Sequence, residues 1–124
     1  MSFLNKIFGG SEDEKSAETF WKTITSEEDL NKAVEESFTK KVAIFKHSTR
    51  CFISKTVLKN FEKEVGNSDK EVSYYFLDLI AYRPISNKIA EDFGITHQSP
   101  QLIVLENGKA VKDASHQSIS VNLI

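Results

Sequence analysis

The chain has 124 residues, 40% hydrophobic and 27% charged, with a formal net charge of −2. That is enough for one compact domain with a real core and too little for two. Its basic residues are scattered rather than striped with aromatics, which excludes an electrostatic nucleic-acid surface, and no apolar run reaches the roughly eighteen residues a membrane helix needs.

The opening segment, "MSFLNKIFGG", has neither a secretory apolar core nor a small-residue cleavage site. Phe3, Leu4, Ile7 and Phe8 would share one side of a short helix. That suits a frayed terminus, or a weak contact with a membrane or partner. Residues 9–18, "GGSEDEKSAE", have no periodicity and read as a flexible linker. Residues 1–18 are thus expected to be an extension, and 19–124 one domain. The single cysteine, Cys51, cannot make an internal disulfide. With no export signal, the expected compartment is a reducing cytoplasm.

Within the domain, "FWKTIT" is short, aromatic and β-branched, which predicts a first strand. "TSEEDLNKAVEES" predicts a helix: Thr25 or Ser26 as cap, Glu27, Glu28 and Asp29 in the first turn, and Leu30, Ala33 and Val34 on one apolar face. "KKVAIFKH" holds the continuous run Val42–Phe45, which suits a central strand covered on both faces. "ISKTVLKNFEKEVG" is helical again, with Gly66 as its stop, and "EVSYYFLDLI" is a second central strand. "ISNKIAEDFG" predicts a helix entered just after Pro84 and closed at Gly94. "QLIVLENGKAVKDAS" predicts a hairpin around Asn-Gly. The tail "HQSISVNLI" reads as a short last helix. This β-α-β-α-β-α-β-β-α order implies an α/β fold: a mainly parallel sheet with helices on both faces and an antiparallel hairpin at one edge.

Cys51 falls between a central strand and the helix that follows, where ligands bind in open α/β sheets. The unpaired N–H groups of a helix N-terminus favour a thiolate, as do adjacent Arg50 and nearby His47 and Lys55. The bland alternative is a small buried hydrophobe. Ser54 lies three residues on, so the frame is Cys-x-x-Ser, a redox pair with its second sulfur replaced by oxygen. A lone thiol that attacks a mixed disulfide stays bonded to the group it removes until an external thiol frees it. "HQSPQ" sets Pro100 directly before a predicted strand. This is out of place unless it serves a turn or a cis bond, and a cis Ser99–Pro100 bond is expected.

Other groups carry weaker signals. His47, His97 and His116 with Cys51 lack a metal-ligand spacing, so no metal is expected. Tyr74, Tyr75 and Phe76 read as core. Asp78 reads as a solvated strand-edge residue, or as a proton acceptor near the thiol.

The motifs "IFKHSTRCFIS", "HQSPQLIVLENGKAV" and "ASH" resemble the monothiol bacilliredoxin family, bacterial stress-related proteins of thioredoxin-like fold. The resemblance covers roughly residues 20–124 and implies a mixed central sheet with helices on both faces. It implies a thiol–disulfide oxidoreductase with no bound cofactor and with bacillithiol as co-substrate. Cys51 would attack the mixed disulfide between bacillithiol and a client protein and keep the bacillithiol. Free bacillithiol or a reductase would then restore it. His47, Thr49, Arg50, Ser54, Lys55, Ser99 and Pro100 would stabilise the thiolate or bind ligand, Ser99 and Pro100 in the cis-proline role. The family usually has proline after the cysteine; here Phe52 puts an aromatic surface beside the sulfur. Three other functions fit a lone thiol on this fold: a peroxidase or redox sensor working through sulfenic acid, a binding scaffold with an idle cysteine, and an iron–sulfur carrier.

Overall fold

The structure, a computed structural model, describes residues 20–124, so the expected extension and linker at 1–18 lie outside the described residues. Strand β1 (Trp21–Thr23) leads to helix α1 (Glu27–Glu36), β2 (Lys41–His47), α2 (Phe52–Gly66), β3 (Val72–Asp78), α3 (Arg83–Phe93), β4 (Gln101–Glu106) and β5 (Lys109–Ser115). The helix ends follow local chemistry. Of the two candidate caps of α1, Ser26 does the work: its Oγ accepts from the Asp29 N–H at 3.1 Å. Pro84 sits in the first turn of α3, and Gly94 closes that helix at φ 64°, a left-handed position that glycine occupies without steric cost.

The five strands form one sheet in the order β1-β3-β2-β4-β5. β1 and β2 both run parallel to β3. β4 runs antiparallel to β2, and β5 antiparallel to β4. The sheet is therefore mixed, as the resemblance implies, and its antiparallel part is the expected edge hairpin; the element order alone did not show that the inner strand β4 also runs antiparallel to the central β2. The reason is where the chain re-enters. β3 ends at Asp78, opposite His47, and β4 begins at Gln101, opposite Lys46. Helix α3 and the 95–100 loop thus bring the chain back to the end of the sheet it left, and β4 must run in reverse.

Alternation along β2 divides the core. Val42 and Ile44 face one way, with Leu30 of α1 and Ile89 of α3. Ala43 and Phe45 face the other way, with Val57 and Phe61 of α2. β2 is buried from Val42 to His47, as its continuous apolar run requires. Tyr74 and Tyr75 are core residues. The β4–β5 hairpin turns on Asn107 (φ 54°) and Gly108 (φ 78°), the paired positive angles of a two-residue type I′ loop. The tail departs from expectation: two 3-10 turns, His116–Ser118 and Val121–Leu123, replace the predicted helix. Ile119, Val121 and Ile124 are all buried on the α2 side of the sheet. Their spacing does not form a helical stripe, so the chain stays extended at Ile119 and re-caps at Ser120.

Candidate active site

The end of β2 delivers His47, Ser48, Thr49 and Arg50 to Cys51, which is the N-cap residue of α2. Its carbonyl accepts from the Lys55 N–H at 3.1 Å, the first bond of the helix. Its thiol is not tied up as a cap, and the residue is half-buried. The sulfur thus stands at the head of a 15-residue helix, among N–H groups that have no intrahelical acceptor. Phe52 begins the helix although it is not proline, and it is 81% exposed. Thr49, Arg50 and Lys55 are exposed around the same rim.

Ser54 is buried one turn in and faces the strand. Its Oγ accepts from the Ser48 N–H at 3.1 Å and lies 2.8 Å from His47 Nδ1. The hydroxyl has one proton and two lone pairs, so beside the Ser48 N–H it can pair with either tautomer of His47. Burial holds His47 below its ordinary value, Lys55 adds to this, and Asp78 opposes it. Asp78 itself closes the turn after β3: its Oδ1 accepts from the N–H groups of Ile80 (3.1 Å) and Ala81 (3.3 Å).

The second arm of the site is the loop before β4. The Ser99–Pro100 bond is cis, as expected from its place before a strand. Pro100 is buried, its carbonyl accepting from the His116 N–H at 3.1 Å, and the buried Ser99 Oγ has no partner among the described residues. Pairing of Gln101 with Lys46 sets this loop at the sheet end where β2 leaves for Cys51. A cavity of about 390 Å³ opens along the first turns of α2, with Phe52, Ile53, Val57 and Ile119 among its walls and Glu64 on its lining.

The structure brings His47 and Ser54 together and leaves Thr49, Arg50 and Lys55 on the rim, in none of the side-chain bonds among the described residues. Sequence reasoning missed Lys46. This lysine is fully buried between the sheet and α3, its Nζ 3.3 Å from the Ser86 carbonyl and 3.2 Å from His97 Nδ1. The available signal was the alternation itself, which places residue 46 on the same inward face as Val42 and Ile44. Among the described residues no three His, Cys, Asp or Glu side chains are grouped to hold a metal ion, and no helix is long and apolar enough to cross a membrane.

A five-stranded mixed sheet, three helices and one sulfur at the head of the second helix define a thioredoxin-fold protein. A solved structure described as having a thioredoxin fold is 28% identical, covering 86% of this chain and 91% of its own, with a TM-score of 0.75. Mitochondrial thioredoxin 3 of Saccharomyces cerevisiae, in its oxidised form, is 14% identical over 82% of this chain and 88% of its own, at TM-score 0.66. A thioredoxin of Malassezia sympodialis is 24% identical over 76% of each chain, at 0.60. The family model for monothiol bacilliredoxin BrxC matches residues 22–124, and the chain belongs to that family. Family and fold together give it a thiol-oxidoreductase-like role.

Proposed function

We propose that the chain is a monothiol thiol–disulfide oxidoreductase that removes bacillithiol from protein mixed disulfides. The Cys51 thiolate attacks the bacillithiol sulfur. A new S–S bond forms, the old one breaks, and the client leaves as a thiolate that takes a proton from solvent. Cys51 then carries bacillithiol until a second bacillithiol, or a reductase, attacks in turn and leaves with it as a disulfide. The setting that suits this cycle is a reducing bacterial cytoplasm.

One observation carries the reading. The position one turn beyond Cys51, where a dithiol enzyme would hold its resolving sulfur, is occupied by a serine whose hydroxyl is bound to Ser48 and His47. The chain offers an attacking sulfur and no internal means of releasing what it takes up, which is the chemistry of a carrier for a small thiol.

The test is mass spectrometry after incubation with a bacillithiolated protein. The expected result is a bacillithiol adduct on Cys51 together with a freed client thiol, both lost in Cys51→Ser. An unmodified Cys51, with client release undiminished in Cys51→Ser, overturns the proposal.

A further inference from the structure

Among the described residues Lys46 is the only Lys, Arg, Asp or Glu that is buried, and no carboxylate lies within ion-pair distance of it. An ammonium taken out of water without a counter-ion is costly to the fold. It persists here with two neutral partners, the Ser86 carbonyl and His97 Nδ1. Ser86 Oγ also lies 3.5 Å from that ring nitrogen. The carbonyl belongs to α3, but His97 belongs to the loop that ends in Ser99–Pro100. Directly across the ladder from Lys46, the fully buried Gln101 sews the same loop down: its Oε1 accepts from the Gln98 N–H at 3.4 Å, and its Nε2 donates to the Thr96 carbonyl at 3.1 Å. A polar layer thus lies under residues 96–100, and Lys46 is its charged member.

We propose that Lys46 is a positioning residue for thiol exchange: through His97 its ammonium fixes the 96–100 loop, and with it Ser99 and Pro100, at the sheet end where Cys51 lies. The inference rests on the proposed function only for what the loop serves; that Lys46 holds the loop stands on geometry alone. The contact is specific in protonation. Lys46 must donate, so His97 must present a bare Nδ1 and carry its proton on Nε2. His97 is faced by Lys46 from β2 and by Ser86 and Arg83 from α3. Burial first, then Lys46 and Arg83, hold it below its ordinary value of 6.5. A second proton on His97 would set two positive charges 3.2 Å apart and break the contact.

The test compares the full chain with Lys46→Met, which keeps the stem and removes the charge, and with His97→Leu, which breaks the contact from the partly exposed side. The readouts are amide hydrogen exchange at Gln98, Gln101 and His116, imidazole titration by NMR, urea denaturation, and the rate at which Cys51 is modified by oxidised bacillithiol. In Lys46→Met we expect an unchanged or raised denaturation midpoint, His97 titrating at higher pH, faster exchange at the three loop-linked amides, and modification slower by on the order of ten- to a hundred-fold. His97→Leu should reproduce the loop effects. Loop protection unchanged in both variants overturns the proposal. So does a fall in denaturation midpoint large enough to account for the faster exchange, because Lys46 would then be ordinary core. Should wild-type Cys51 fail to react with the disulfide, the functional reading falls, and hydrogen exchange still decides whether Lys46 holds the loop.

Discussion

The Ser54 hydroxyl lies 2.8 Å from His47 Nδ1 and accepts from the backbone N–H of Ser48, so one oxygen joins the first inward position of α2 to the last residue of β2. The segment that carries Cys51 is closed at its base by that oxygen. Ser54→Ala would leave a buried N–H and a buried imidazole without partners. The expected cost is about 1–3 kcal/mol, read as a lower urea midpoint. Since burial is the main cause of His47's depressed value, its linkage has a definite sign. The stability it contributes is whole above the ordinary 6.5 and is lost as pH falls through the depressed folded value. His47→Gln should flatten that part of the pH profile.

Lys46 titrates in the alkaline range. Burial pushes its amine from 10.5 down to about 8. Between those values the unfolded chain holds a proton that the folded chain has released, so stability should rise as pH goes from about 8 to 10.5. Lys46→Met should abolish that rise and gain on the order of 3 kcal/mol at pH 7 as an upper bound. Denaturation at pH 7, 9 and 10.5 measures both effects.

Phe52, the residue after Cys51, is 81% exposed and walls the cavity that runs back along α2. Its removal costs the fold little, within about 0.5 kcal/mol. Phe52→Ala should therefore leave the urea midpoint in place, and leave the reaction with a small disulfide unchanged. For a polypeptide mixed disulfide KM should rise several-fold, in line with losing one buried aromatic contact, about 1 kcal/mol. Steady-state kinetics on the two substrates separate these outcomes.

Gly108 has φ 78°, and a Cβ there would come 2.6 Å from Phe38 Cζ. The Phe38 ring is 61% exposed and free to swing away, so the backbone angle sets most of the cost. Gly108→Ala should lose about 1–2 kcal/mol, with no change in Cys51 reactivity because the turn lies at the far end of β4.

The elements legible in the sequence are those with local causes. Ser26, Gly94 and the Asn107–Gly108 pair mark their boundaries by backbone chemistry, and the structure places each boundary there; Pro84 marks the start of α3, which begins one residue before it, at Arg83, rather than after it. The setting of Cys51 was legible for the same reason, since a strand run followed by a helical run fixes what lies between. Direction was not. An apolar run reads alike in both senses, so β4 gave no sign that it reverses beside β2. The role of Ser54 was only half legible: the Cys-x-x-Ser frame suggested the sulfur as its neighbour, while one helical turn instead aims the hydroxyl at the strand. The Lys46–His97 contact spans 51 positions. Nothing local in either residue announces it, although a lysine on the inward face of a buried strand was itself a visible anomaly.

Reversal of β4 has a consequence for how the domain tolerates change. Cys51, the turn after Asp78 and the loop at 95–100 crowd one end of the sheet. At the other end lie the connections 67–71, largely exposed, and the Asn107–Gly108 hairpin. Added sequence or a fused tag at 67–71 lengthens an exposed connection remote from the sulfur. The same insertion at 48–50 or 96–99 would part the two strands' ends that frame it. The molecule therefore has one end open to elaboration and one held to a fixed length.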